Sequence, residues 1–148
     1  MLPDTEERML EVAGNVVLVL IAVFAILGLV GKLLDRQQAR WEARRPWLLD
    51  AVKDALRLID PIDSTRSPND LAREEARYLG HLNGTWVHAQ IGAPTELAKQ
   101  LDGLRLVEQI RWLLEGHSDE EIVRRLEELR PGLLEARQLL DQGRPRGI

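Results

Sequence analysis

The sequence predicts an all-α protein: a single N-terminal transmembrane helix followed by a small cytoplasmic α-helical bundle. A long apolar run lies near the N-terminus, and the later segments repeat apolar residues every three or four positions. Alternating, strand-like segments are nearly absent. The predicted divisions are a short acidic N-terminal tail (1–11), the transmembrane helix (12–34), a basic juxtamembrane and amphipathic helix (35–60), a helical bundle (61–142) and a flexible tail (143–148).

The transmembrane helix is predicted from residues 12–34, in which only Asn15 and Lys32 interrupt an apolar run. These 23 residues would form a helix about 34 Å long, enough to cross a hydrocarbon core of about 30 Å. A cleaved signal peptide would start with basic residues and end at a small-residue site, whereas this chain starts with four acids and one Arg. The core helix of a soluble protein would keep one polar face, and this segment is apolar all round.

The charges on either side of the span predict its orientation. Basic residues follow the span and acids precede it, so the positive-inside rule places the N-terminus outside and the C-terminus in the cytoplasm. A bacterial inner membrane fits this arrangement best, and the internal membrane of a virion is the alternative. The residues predicted at the membrane interface are Lys32, Arg36, Arg40, Trp41, Arg44, Arg45 and Trp47. The basic residues either bind anionic headgroups or only set the topology, and Trp47 fits a core or partner contact equally well.

The first amphipathic helix of the bundle is predicted from Trp47 to Asp60. Its inward stripe is Leu48, Ala51, Val52, Ala55, Leu56 and Ile59. Pro46 either kinks a helix that continues from the span or begins a new one.

The second helix is predicted to begin at an N-cap, Ser67, with Pro68 in its first turn. Its inward residues are Leu71, Ala72, Ala76, Leu79 and Leu82. The Asn83–Gly84 pair predicts its end, and residues 85–92 fit either a strand or a helical turn.

One long helix is predicted next, from Pro94 to Gly116, with Gly116 as its stop. Its inward residues are Leu97, Leu101, Leu104, Val107 and Leu114. Ser118 and Glu121 form a capping box for the last segment. In that segment Ile122, Leu126, Leu129, Leu133 and Leu140 keep one face across Pro131, which predicts one kinked helix or two stacked ones. Trp86 and Trp112 are predicted core anchors.

Catalytic, cofactor and metal sites are not predicted. The chain has no Cys, and its three His residues lack further ligands at metal-binding spacing. Neither a Gly-rich phosphate loop nor a nucleophile elbow is present. The pairs Glu74–Glu75 and Glu120–Glu121 are expected on solvated helix faces. The net charge of −4 argues against a nucleic-acid surface.

The stretch "EQIRWLLEGHSDEEIVRRL" (108–126) resembles the first two helices of helix-turn-helix modules and is similar to small helical antitoxin-like domains. The resemblance covers about 20 of 148 residues and implies that the following segment reads DNA. That segment, "EELRPGLLEARQLL", offsets its Arg and Gln residues with Glu. The same pattern is also explained by a helix that ends at a glycine and is followed by the capping box of the next helix, which implies no function.

Within the span, small residues recur every three positions, and this spacing suggests a surface for helix association. The residues are Ala22, Ala25, Gly28 and Gly31, with Asn15 as an added hydrogen-bonding group. A spacing of three drifts by about 60° per step around a helix. The ordinary occurrence of Gly and Ala in membrane helices therefore explains these residues equally well.

Taken together, these features predict a non-enzymatic single-pass membrane protein that acts as a structural or accessory subunit of a larger assembly. The assembly would be a bioenergetic complex or a membrane component of a phage or virion. The expected partners are the lipid bilayer and other protein subunits, in a homo- or hetero-oligomer. The alternatives are a membrane-tethered helix-turn-helix-like or antitoxin-like regulator, and an adaptor that recruits a cytoplasmic partner.

Overall fold

The computed structural model describes the backbone of residues 2–142 and the side chains of residues 7–142. Its five helices are α1 (Leu2–Arg57), α2 (Pro68–Ala89), α3 (Thr95–Gly103), α4 (Leu106–Leu114) and α5 (Asp119–Gln142). No strand occurs in this part of the chain, which confirms the all-α prediction. The flexible tail predicted at 143–148 lies outside the described residues.

The chain forms two compact units, Met1–Gln37 and Gln38–Ile148. In the first unit, the large apolar side chains from Val12 to Leu34 are between 44% and 70% exposed, on all sides of the helix. This helix is long and apolar enough to cross a membrane, and none of its most apolar stretch is buried. The prediction of a segment that is apolar all round is therefore confirmed.

Helix α1 is continuous across three of the predicted divisions. It begins at Leu2, so residues 2–11 are helical, although the sequence suggested a tail. It also passes through Pro46, which lies inside the helix and does not start a new one. Proline removes one backbone donor from a helix, and the buried side chains on either side of Pro46, Trp41 and Leu48, offset that loss.

The second unit has its own hydrophobic core, to which α1 contributes the stripe predicted from Leu48 to Ile59. Each residue of that stripe is at most 2% exposed. The inward faces predicted for α2 and α5 are buried as well. Helix α2 packs against α4 and α5, and α3 packs against α5. Helix α5 passes through Pro131 as a single helix.

Both predicted N-caps are present. The Ser67 hydroxyl accepts from the Asp70 N–H at 3.3 Å, and the Ser118 hydroxyl accepts from the Glu121 N–H at 3.4 Å. Each cap satisfies a donor that the first helical turn leaves without a partner.

The predicted end of α2 at Asn83–Gly84 is wrong, because the helix continues to Ala89. The ambiguous segment 85–92 is thus helical through Ala89. Trp86 is buried, and its Nε1–H donates to Asp102 Oδ1 at 3.0 Å. This burial outweighs the modest cost of a glycine inside a helix.

The single helix predicted from Pro94 to Gly116 is also wrong, since it is divided into α3 and α4. Arg105 separates them with a left-handed φ of 51°. A left-handed residue changes the helical phase, so Leu106 and Leu113 are buried. Val107 and Leu114, which the sequence placed inside, are 54% and 61% exposed.

Substitution of two glycines by alanine should have opposite effects on stability. Gly116 has a φ of 85°, where a Cβ is strained, so Gly116→Ala should lower the free energy of unfolding by about 1 kcal/mol. Gly84 lies inside α2, and a Cβ there would meet nothing within 4 Å. Gly84→Ala should therefore raise the free energy of unfolding by about 0.5–1 kcal/mol. Urea unfolding followed by tryptophan fluorescence measures both, and a shared sign would contradict the expectation.

Candidate functional site

The residues predicted at the membrane interface fall into two groups in the structure. Lys32, Arg36, Arg40, Arg44 and Trp47 are exposed, and Arg45 is half-buried. Trp41 is only 7% exposed and belongs to the hydrophobic core of the second unit. Its ring is thus covered by protein, unlike the other predicted interface residues, and the position of this group at a membrane interface stays a prediction.

The small residues of the span are open to their surroundings. Asn15, Ala22, Ala25 and Gly28 are exposed, and Gly31 is half-buried. A Cβ built at Gly28 or Gly31 would meet nothing within 4 Å. The described part of the chain thus leaves these positions available to another helix, and their role in association stays a prediction.

The second unit carries a groove between the second half of α1 and α2, here called the α1–α2 groove. Its volume is about 720 Å³. It is lined by Ala43, Arg44 and Trp47 from α1 and by Gly80, His81, Gly84, Thr85 and His88 from α2. Sequence reasoning missed this groove, because α2 was expected to end before Thr85.

Arg44 links the two walls of the α1–α2 groove. Its guanidinium donates a hydrogen bond to the backbone carbonyl of His88, in the last turn of α2. Carbonyls at the C-terminus of a helix lack intrahelical donors and carry partial negative charge, so a cation is favourable there. The contact holds the guanidinium at one end of the groove.

The lining of the groove combines an exposed aromatic ring with bare backbone. The Trp47 side chain is 72% exposed, in contrast to the buried Trp41 and Trp86. Gly80 and Gly84 lie one helical turn apart, and a Cβ at either would meet nothing within 4 Å. The groove can therefore admit another chain close to the backbone of α2.

Glu75 is an unexpected feature of the core. The sequence placed it on a solvated face, yet its side chain is fully buried, and neither carboxylate oxygen has a hydrogen-bond partner. Its neighbour Glu74 is only half-buried and pairs with Arg66. Desolvation raises the pKa of Glu75 to about 8, because burial penalises the charged form.

The charged residues described on α4 and α5, the helices that pack against α2, are exposed or contact groups other than Glu75. On α4, Glu108 and Arg111 are exposed. On α5, Arg125 lies over the Trp112 ring at 4.4 Å and Arg137 lies 3.9 Å from Asp60. Because no described ion pair reaches Glu75, its carboxyl group is neutral in the folded protein around pH 7.

The turn between α4 and α5 is held by a stack of side chains. The His117 ring lies parallel to the Trp112 ring, with 3.8 Å between their centroids, and Arg125 covers Trp112. Glu127–Leu140, the segment that would follow a helix-turn-helix pair, is a continuation of α5. In the part of the chain that the structure describes, the resemblance to helix-turn-helix modules therefore lacks a separate third helix.

Among residues 7–142, no group of three or more His, Asp or Glu side chains is placed to hold a metal ion. Comparison with protein-family models, with curated proteins and with solved structures finds no match to this chain. The function is therefore inferred from the apolar helix, the groove and the charges described above.

Glu75 should make the second unit less stable as the pH rises. Its pKa in the folded protein is about 8, against 4.5 for an unperturbed glutamate, so the folded protein holds a proton that the unfolded chain releases between these values. The free energy of unfolding should fall with rising pH in this window, by up to about 1.4 kcal/mol per pH unit. Glu75→Gln, which does not ionise, should remove this slope.

The measurement is urea unfolding of the full chain in detergent between pH 5 and pH 8.5. Glu128→Gln is the matched control, because Glu128 is exposed on α5. Equal slopes in the wild type and in Glu75→Gln would contradict the role given to Glu75.

Proposed function

We propose that this chain is a single-pass membrane protein that serves as a structural or accessory subunit of a larger membrane-associated assembly. The observation that carries the proposal is the apolar stretch of α1, whose side chains are exposed on every side. Soluble monomers rarely expose a continuous apolar surface of this extent. The second unit has a separate core and does not need this stretch to complete it.

The composition of the stretch supports insertion into lipid. Between Val16 and Val30, twelve of fifteen residues are Val, Leu, Ile or Phe. Each contributes about −0.3 to −0.6 kcal/mol near the centre of a bilayer, so together they favour insertion by about 4–7 kcal/mol. A helix also satisfies its own backbone hydrogen bonds, which a lipid environment requires.

The proposed topology places the N-terminus outside and the bundle in the cytoplasm. Exposed Lys32, Arg36 and Arg40 follow the apolar stretch, and acids precede it. A cleavable signal sequence is the competing explanation of an apolar N-terminal helix. The acidic residues just before the apolar stretch and the lack of a small-residue cleavage site after it favour a retained span.

The role of an accessory subunit is supported by the surface of the second unit. The α1–α2 groove presents an exposed tryptophan and uncovered backbone, features that suit contact with another protein. An adaptor that recruits a soluble partner is the second candidate, and the same groove supports it. The two are distinguished by whether the partner is itself membrane-embedded.

Cysteine labelling tests both insertion and topology, since the native chain has no Cys. In intact cells, a membrane-impermeant maleimide should label Glu11→Cys and leave Asp141→Cys unlabelled until the cells are permeabilised. The protein should also resist extraction from membranes by alkaline carbonate. Labelling of Asp141→Cys in intact cells would contradict the topology, and release by carbonate would contradict insertion.

Association through the span is tested by enlarging two of its glycines. If Gly28 and Gly31 contact another helix, the double variant Gly28→Leu/Gly31→Leu should lower the occupancy of the oligomer or complex several-fold, because leucine prevents close approach. Insertion should remain intact, since leucine is more favourable than glycine in a bilayer. Native mass spectrometry in mild detergent measures occupancy, and Val19→Leu/Val23→Leu is the matched control. Equal occupancy in the two double variants would leave the span as an anchor only.

A further inference from the structure

We propose that the α1–α2 groove is the docking site for an acidic amphipathic helix of a partner protein. The inference rests on the proposed function, because it names the surface by which an accessory subunit would join its assembly. Three independent features of the groove carry it: two glycines, one exposed tryptophan and an arginine fixed at the end of the groove.

The first feature is the pair Gly80 and Gly84 inside α2. Glycine weakens the interior of a helix relative to alanine, yet nothing in the described chain lies within 4 Å of a Cβ at either position. The folded bundle itself therefore gives no steric reason for glycine there. Two glycines one turn apart on a groove wall allow a second helix to pack close to the backbone.

The second feature is Trp47, on the opposite wall of the groove. Trp41 and Trp86 are buried in the core, whereas Trp47 leaves 72% of its side chain exposed. Tryptophan is enriched among the residues that contribute most to protein–protein affinity, because it buries a large apolar area in one contact. Trp47 would contact one side of the bound partner helix, and the other side of that helix would lie on Gly80 and Gly84.

The third feature is the charge of the lining. Arg44 is permanently charged, two histidines, His81 and His88, lie beside it in the lining, and none of the eight lining residues is acidic. The chain as a whole has a net charge of −4, so the groove lining is more positively charged than the chain as a whole. A guanidinium has five N–H donors, and Arg44 therefore retains donors for a carboxylate after bonding to the His88 carbonyl.

A helix accounts for more of these features than a lipid headgroup does. A phosphate would use Arg44 and the two histidines, but it would not need two glycines in the interior of α2. An amphipathic helix uses all three features: a face of small apolar residues on Gly80 and Gly84, an apolar residue against Trp47, and an acidic flank at Arg44. Binding of a helix in a groove between two helices is a recurring mode of recognition.

The test uses the full-length chain in phosphatidylcholine nanodiscs and two fluorescein-labelled helical peptides of about 18 residues, or five turns. The acidic peptide carries alanine and leucine on one face and glutamate on its flanks, and the basic peptide replaces glutamate with lysine. Fluorescence anisotropy should show the acidic peptide binding at least about tenfold more tightly than the basic one, and less tightly as salt is raised.

Substitutions in the groove should weaken binding of the acidic peptide. Trp47→Ala and Gly84→Leu should each raise its Kd by about tenfold or more. The matched controls are Leu114→Ala and Gly103→Leu, which change an exposed leucine and an unobstructed glycine outside the groove. Arg44→Glu should shift the preference towards the basic peptide. Each variant is included only if its far-UV circular dichroism and melting temperature show a folded bundle.

Several results would overturn the proposal. These are the absence of binding by the acidic peptide, equal binding of both peptides, and equal losses in the groove and control variants. Groove-dependent binding to vesicles that contain phosphatidylglycerol, without peptide binding, would assign the site to a lipid headgroup. Groove-dependent dimerisation without peptide binding would assign it to a second copy. Carbonate extraction of the same variants tests the proposed membrane function separately, because groove substitutions should leave insertion unchanged.

Discussion

Burial of one face of α1, from Leu48 to Ile59, is the constraint on which the second unit depends. These side chains are almost entirely removed from water and share one core with α2, α3, α4 and α5. Because an amphipathic helix that buries one face leaves the other open, α1 presents Arg44 and Trp47, just before this stretch, at the surface. The α1–α2 groove is therefore a direct result of how α1 is packed, and its residues need no loop to hold them.

The sequence predicted the structure best where burial and local hydrogen bonding favour the same helix. The stripes of α1, α2 and α5 and the caps at Ser67 and Ser118 follow from helical periodicity and from unpaired donors in the first turn. The same physics accounts for the local resemblance around Gly116, since a left-handed glycine followed by a serine cap ends one helix and begins another wherever it occurs.

The errors share a cause: tertiary contacts outweighed a local signal. Asn83–Gly84 would end an isolated helix, but burial of Trp86 extends α2 beyond it. Nothing in the residue type of Arg105 indicates a left-handed backbone. Because of this one residue, the face of α4 that is buried differs from the face that the sequence predicted. Glu75 was assigned from polarity and position, whereas its burial depends on helices distant in sequence. The groove was missed for the same reason.

The burial of Glu75 also has a stoichiometric consequence. Around neutral pH its carboxyl group is protonated in the folded chain and would be ionised in the unfolded one. Folding of the second unit is then accompanied by proton uptake from the solvent. The heat measured on unfolding in a calorimeter would include the ionisation enthalpy of the buffer, and would differ between phosphate and Tris even at one pH and one temperature.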